Sequence, residues 1–420
     1  MYRYVVPIAT RYTSVLLQFA VVAVITRVLS LHDAGQYFVL MGFVLSTYFV
    51  GGFGLPDGVV RFVPALSATE ESARADALLD RGLKLSLATI PIGTVLCAGI
   101  AKIYTGNWMA AGLTGAWWAA YALIFVCAQV VVASGRSELG TAMFYSAANI
   151  GQVLITVPII FFAGFGELET VLTATVLGTG VAAAICLLYL WVSRTRSLSP
   201  IGRSLLGNAW RQGSTIAAGR VVQAGLLWSP VWIASATLGP SDAALVGLAC
   251  RLVSAVAAVL AAIRFSIRPT LARDAVRGNW QSIESHSSRI ALYATLLAIG
   301  SAVFVVCFGD AILPSVFGAD YHGVGVVTAL MLIGTVGECI GGPTDEILRM
   351  SGHASDVIVL QLLGLTVGVG AQLIAGTWYG LNELVLAYAL TFVVLYSAYI
   401  VRLYLVHGIV VLPRLIRDRS

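Results

Sequence analysis

Long apolar stretches follow one another along the whole chain, and each is long enough to cross a membrane as a helix. A spanning α-helix needs about 20 mostly apolar residues. Twelve stretches qualify: 8–29, 36–58, 84–104, 109–133, 141–163, 171–192, 214–237, 243–266, 290–309, 322–342, 356–377 and 384–406. Spanning β-strands would instead alternate in short segments. We therefore predict an all-α polytopic membrane protein with 12 transmembrane helices.

Composition points to the bilayer as the solvent of this chain. Only 11% of the 420 residues are charged and 59% are hydrophobic, whereas soluble domains carry roughly 25% charged residues. The six cysteines all lie in apolar stretches without metal-ligand spacing. We interpret them as small hydrophobic residues, and we predict neither a metal site nor a cofactor.

The basic residues are distributed unevenly between the loops. With the N-terminus placed inside, all but four of the 25 Lys and Arg residues lie at cytoplasmic ends; Arg27 and Lys102 lie outside, and Arg220 and Arg251 fall within spans. Because cytoplasmic loops collect Lys and Arg, we predict a multi-pass protein of the cell inner membrane with both termini in the cytoplasm. The net charge of +5 is then explained by these loops, and we expect no nucleic acid as a partner.

Features of the first half of the sequence recur in the second half. Arg11 precedes Asp33-Ala34 at the same spacing at which Arg220 precedes Asp242-Ala243. Further along, Val63-Pro64-Ala65-Leu66 is matched by Arg268-Pro269-Thr270-Leu271, and Ser134-Gly135-Arg136 is matched by Ser351-Gly352-His353. The three matches occur in the same order in both halves. A shift of six spans preserves the direction of each helix. The repeat is therefore predicted to be parallel, with a pseudo-two-fold axis along the membrane normal.

This repeat predicts two lobes with a cleft between them, which is the plan of a transporter. We expect an N-terminal six-helix lobe at 1–192 and a C-terminal six-helix lobe at 214–406. A cytoplasmic linker at 193–213 joins them, and a basic cytoplasmic tail at 407–420 follows.

Residues 25–66, ITRVLSLHDAGQYFVLMGFVLSTYFVGGFGLPDGVVRFVPAL, resemble the opening of a known family. The shared elements are Arg27 and Leu29, then Gly35-Gln36-Tyr37, then Phe53-Gly54-Leu55 followed by Arg61. The family is that of the polysaccharide-biosynthesis and O-antigen flippases, which belong to the MOP (MATE-like) exporter superfamily. Residues 244–273 are similar to its eighth helix.

The resemblance implies a MATE-like fold whose centre is lined by helices 1, 2, 7 and 8. It implies that a polyprenyl-pyrophosphate-linked oligosaccharide is transferred from the inner to the outer leaflet by alternating access. Membrane lipids, a polysaccharide polymerase and chain-length proteins are the partners that follow from it. Basic residues in the cavity of such proteins are assigned to the lipid pyrophosphate.

Arginines near the spans are the candidates for binding that pyrophosphate, since guanidinium pairs bidentately with phosphate oxygens. The candidates are Arg11, Arg61, Arg220, Arg251 and Arg264. At about 1.5 Å of helical rise per residue, Arg11, Arg220 and Arg264 lie at the inner mouth, and Arg251 lies near the midplane. The alternatives are snorkelling anchors for the shallow residues and, for Arg251, a structural ion pair or contacts with backbone carbonyls.

The segment GGFGLPDGVVRFVPAL, 51–66, predicts a kinked gate in the second span. Asp57 and Arg61 are four residues apart, so they share a helix face and can pair. Pro56 and Pro64 would bend or end the helix, and the glycines permit close packing. We interpret Asp57, Pro56 and Pro64 as gate residues, with Asp57 restraining Arg61 until phosphate competes. The alternative is a plain helix end with a capping salt bridge.

Glu338 is the one carboxylate placed well inside a second-half span. It is a candidate for coupling transport to a proton gradient, a sodium gradient or the membrane potential, and the alternative is a structural hydrogen bond. Further along, Asp345 and Arg349 have the spacing of an ion pair on one helix face.

Three other functions compete with the flippase. A cation-coupled multidrug exporter of the same superfamily would favour acidic residues in the first lobe, where Asp57 is the only carboxylate inside a span. A membrane glycosyltransferase or polymerase would need a large outer loop or a cytosolic domain with catalytic residues, and the longest predicted outer loop, about 310–321, is short. We therefore predict that the protein is not an enzyme. The third rival is a structural scaffold that transports nothing.

Overall fold

The computed structural model describes residues 2–68, 72–163, 166–193 and 202–414. Within these ranges there are fifteen α-helices and no strand. The helices are α1 (Tyr2–Val28), α2 (Leu31–Thr47), α3 (Leu55–Ala68), α4 (Ser72–Thr105), α5 (Trp108–Ala133), α6 (Ser137–Gly151), α7 (Val157–Ala163), α8 (Leu168–Ser193), α9 (Arg203–Thr237), α10 (Pro240–Val276), α11 (Trp280–Phe317), α12 (Val324–Gly341), α13 (Thr344–Met350), α14 (Ala354–Trp378) and α15 (Leu381–His407). The predicted all-helical fold class is confirmed.

Ten helices of the described ranges are long and apolar enough to cross a membrane, and the bent pair α2–α3 brings the total to as many as eleven. The part of α1 from Tyr12 to Val28 is apolar but shorter than a full span. α6 and α7 continue through a π-helical turn, Gln152–Thr156, as a single apolar stretch. Each of the twelve predicted stretches overlaps one of these helical segments, so the chain is a multi-pass membrane protein.

The second span is broken, as the sequence predicts. Its two parts, Leu31–Val50 and Leu55–Pro64, meet at an angle of 43°. The break lies at the glycine run, where Phe53 has a φ of 47° and Gly54 a φ of 79°, values that a helix does not accept. The bend therefore precedes both prolines. Pro56 occupies the first turn of α3, where proline is tolerated, and Pro64 lies inside α3.

The chain divides into two compact units, Met1–Ala224 and Gly225–Ser420, and the division falls inside α9. Residues 194–201 of the predicted linker and residues 415–420 of the predicted tail lie outside the described residues. From Arg203 onward the predicted linker is helical, because it forms the beginning of α9. The predicted lobe boundaries remain predictions.

One of the repeated sequence pairs has the same local structure in both units. After α5, Gly135 has a φ of 86° and the Arg136 amide donates to the carbonyl oxygen of Val131 at 3.2 Å. After α13, Gly352 has a φ of 93° and the His353 amide donates to the carbonyl oxygen of Leu348 at 2.9 Å. Both are glycine-terminated helix ends of the Schellman type.

Candidate functional site

Close backbone contact between α3 and the first part of α9 positions the charged residues of the first unit. A Cβ on Gly58 would lie 2.0 Å from the carbonyl oxygen of Ala209, and one on Gly213 would lie 2.0 Å from the carbonyl oxygen of Gly54. Real Cβ atoms essentially never approach other atoms within 3.0 Å, so these glycines are required by the packing. The indole Nε1 of Trp210 also donates to the carbonyl oxygen of Phe53 at 3.1 Å, which ties α9 to the bend of the second span.

This contact brings Arg220 of α9 to Asp57 in the first turn of α3. Arg220 Nη1 lies 2.8 Å from Asp57 Oδ1, and Gln129 Nε2 of α5 donates to the same oxygen at 2.9 Å. The other carboxylate oxygen, Oδ2, is buried without a hydrogen-bond partner among the described residues. The Asp57 side chain is 3% exposed and that of Arg220 is 35% exposed. The anion of the pair is therefore buried while the cation remains accessible.

Aromatic rings flank the guanidinium of Arg220. Its Cζ atom lies 5.7 Å from the ring centroid of Phe49 and 5.6 Å from that of Phe125. Both distances are within the range of cation–π attraction. Apolar rings also lower the local dielectric constant, which strengthens any ionic contact that Arg220 makes. A partly desolvated guanidinium with an accessible remainder has the properties of an anion-binding group.

The structure corrects the predicted partner of Asp57. The sequence predicts Arg61, but the ion pair is formed with Arg220, and Arg61 is exposed on α3. Asp57 is buried, and the close approach of α9 supplies a guanidinium on its buried side, whereas Arg61 lies one turn further along in an exposed position. The predicted pair Asp345–Arg349 is confirmed, with Arg349 Nη2 3.8 Å from Asp345 Oδ2.

Arg251 lies in the core of the second unit. It is 9% exposed, and its Cζ atom lies 4.6 Å from the ring centroid of Trp228, which is itself 4% exposed. Such a buried contact contributes about 2 kcal/mol. The predicted binding role of Arg251 remains a prediction. The side chains of Arg11 and Arg264 lie outside the described residues.

Glu338 also belongs to the second unit. Its Oε1 accepts a hydrogen bond from the Tyr396 hydroxyl at 3.0 Å, which is the structural hydrogen bond offered above as the alternative. With Ser254, Thr335 and Tyr388 it lines a small cavity that has room for about one water molecule. Coupling through Glu338 remains a prediction. The described residues contain no group of three or more His, Cys, Asp or Glu side chains able to hold a metal ion.

Comparison with known proteins finds likeness among solved structures. An inward-facing multidrug resistance MATE family transporter of the MOP superfamily aligns with a TM-score of 0.71 at 15% identity, over 96% of this chain and 98% of that chain. The MATE multidrug transporter DinF-BH, solved in a ligand complex, gives 0.67 at 14% identity, over 96% and 95%. A MOP superfamily transporter from Pyrococcus furiosus, described as having a binding pocket of reverse polarity that suggests a different function, gives 0.65 at 15% identity, over 96% and 95%. No protein-family model and no curated protein matches.

The chain therefore has the fold of the MATE transporters, and these neighbours are described as transporters rather than enzymes. At this level of identity the likeness concerns the fold. The cargo has to be inferred from the chemistry of the site.

Proposed function

We propose that the protein is a transporter that works by alternating access and moves a polyprenyl-pyrophosphate-linked oligosaccharide to the outer leaflet of the inner membrane. The observation that carries this proposal is the ion pair in which Asp57 is buried and Arg220 is 35% exposed. An ion that approaches this pair meets the positive charge. The site therefore favours an anionic cargo.

The chemistry of Arg220 suits a pyrophosphate in particular. Guanidinium presents five N–H donors in a planar fork. One edge of this fork is enough to hold Asp57, and the donors on the other edges remain for a second acceptor. Phe49 and Phe125 cover part of the group and raise the strength of a phosphate contact. Arg11, Arg61, Arg251 and Arg264 remain predicted ligands of the same head group, and the prenyl tail would stay in lipid.

Cation-coupled multidrug export is the second candidate function. Two of the structural neighbours are described as multidrug transporters, and Glu338 supplies a carboxylate to a small, mainly apolar cavity. The neighbour from Pyrococcus furiosus, however, is described as having a pocket of reverse polarity, so this fold accommodates pockets of different charge. A cationic drug would be repelled by Arg220 and would find Asp57 already paired.

The test is to delete the gene in its own cell and restore it with variants. We expect deletion to abolish a surface polysaccharide and Arg220→Gln to fail to restore it. Arg220→Lys should restore it in part, because lysine keeps the charge without the planar fork. The matched control is Arg402→Gln, which removes an ion pair of similar length, 2.7 Å to Asp356 in the second unit, and should restore the polymer fully. Normal polysaccharide in the deletion strain together with greater drug susceptibility would establish the exporter instead.

A further inference from the structure

Arg220 has two roles in the proposed site, because it is the counter-ion of Asp57 and also the group that meets the anionic cargo. Asp57 Oδ1 has two partners, Arg220 and Gln129, while Oδ2 has none among the described residues. When an anion draws the guanidinium away, the buried carboxylate keeps only the neutral amide of Gln129. A buried carboxylate without a counter-ion is unfavourable, and such a group is neutralised instead.

We propose that Asp57 is a proton-binding site linked to anion binding at Arg220. One proton from the solvent binds the Asp57 carboxylate when the anion takes the guanidinium, and the same proton leaves when the anion departs and the Asp57–Arg220 pair forms again. This inference rests on the proposed anion site. It makes Asp57, in the first unit, the carboxylate whose protonation is linked to the anion.

The surroundings of Asp57 offer no substitute for Arg220. α5 presents the neutral Gln129, and the turn before the bend presents the phenol of Tyr48. The charged groups of α4 include Asp80 and Lys84, which pair with each other at 2.6 Å. Arg61, on the helix of Asp57 itself, is exposed. Among the described residues, Arg220 of α9 is thus the cation in contact with Asp57.

The sign of the linkage follows from reciprocity. If an anion promotes proton binding, a proton promotes anion binding by the same factor. Anion affinity should therefore be highest at low pH and fall as the pH rises, by about tenfold per pH unit while one proton is exchanged. When no anion is bound, Asp57 and Arg220 form a neutral ion pair. The empty transporter therefore carries no unpaired charge at this site when it returns to the conformation that receives cargo.

Sulfate is a suitable probe, because it is a tetrahedral dianion that does not titrate in the range used. Its binding to the purified full-length protein in lipid nanodiscs would be measured calorimetrically at steps between about pH 5 and about pH 8. We expect the affinity of the wild type to fall with pH. Asp57→Asn should bind more tightly than the wild type at high pH and show no dependence on pH. Asp345→Asn, which removes another buried carboxylate with an arginine partner, should keep the wild-type slope.

Each outcome is decisive. A wild-type slope retained in Asp57→Asn overturns the proton linkage and leaves the anion site intact. Sulfate binding by Arg220→Gln at the wild-type affinity overturns the anion site, and with it the proposed function. Should Asp57→Asn fail to fold, proton uptake by the wild type on sulfate addition in weak buffer serves instead: about one proton per sulfate is expected, and none would contradict the linkage.

Discussion

Replacing Gly213 with alanine should separate α3 from α9 at the site. The added Cβ would lie 2.0 Å from the carbonyl oxygen of Gly54 and 2.7 Å from the amide nitrogen of Gly58. Both atoms are backbone, so neither can rotate away. Reaching the 3.0 Å that real Cβ contacts require means a movement of about 1.0 Å (3.0 minus 2.0) in one of the helices.

Overpacking of this kind lowers the free energy of unfolding by about 1–3 kcal/mol. The higher helix propensity of alanine offsets up to about 1 kcal/mol of that loss. We expect a net loss of roughly 1–2 kcal/mol. For a unit of this size that corresponds to a fall of roughly 2–8 °C in the unfolding midpoint. The assay is thermal unfolding in detergent, followed by intrinsic tryptophan fluorescence.

Gly207 is the matched control, since it lies on the same helix and a Cβ there would meet nothing within 4 Å. Gly207→Ala should unfold at the wild-type temperature or slightly above it. If Gly213→Ala and Gly207→Ala unfold together, the close contact between α3 and α9 is not what positions Arg220.

Three further predictions concern single side chains. Gln129→Leu should lower the free energy of unfolding by about 1–3 kcal/mol, because it removes a hydrogen-bond donor from a buried carboxylate. It should also weaken sulfate binding, since Asp57 then depends on Arg220 alone, and unchanged sulfate binding would contradict this. Arg251→Leu should lower the unfolding midpoint through loss of the Trp228 contact, and an unchanged midpoint would contradict a stabilising role for that contact. Glu338→Gln keeps an acceptor for the Tyr396 hydroxyl, so we expect the pH dependence of sulfate binding to persist; its disappearance would move the coupling from Asp57 to Glu338.

Much of the fold follows from local sequence rules. Each spanning helix is encoded by its own apolar run, and the bend of the second span is encoded by the glycines between 51 and 54. Local rules are less reliable where one residue type can have two different effects on a helix. Proline at 56 suggests a bend, yet its position in the first turn of α3 makes it compatible with the helix.

The partner of Asp57 shows where sequence reasoning stops. The rule that residues four apart on a helix can pair selects Arg61, and it takes no account of a helix that arrives from far along the chain. A signal was present, because Ala209-x-x-x-Gly213 offers a small-residue face to match Gly54-x-x-x-Gly58. Gln129 was detectable as well, as an amide in an otherwise apolar span. Phe49 and Phe125 carried no such signal, since aromatic residues are common throughout the chain.

The central claim is that Arg220 receives an anionic lipid head group, and transport by the purified protein tests it most directly. Full-length protein would be reconstituted into liposomes that contain a fluorescent polyprenyl-pyrophosphate-linked sugar, and movement between leaflets would be followed with a quencher that does not cross the membrane. We predict transfer by the wild type, its loss in Arg220→Gln and its retention in Arg402→Gln. Equal transfer by wild type and Arg220→Gln, or transport of a cationic dye with no movement of the lipid, would contradict the account.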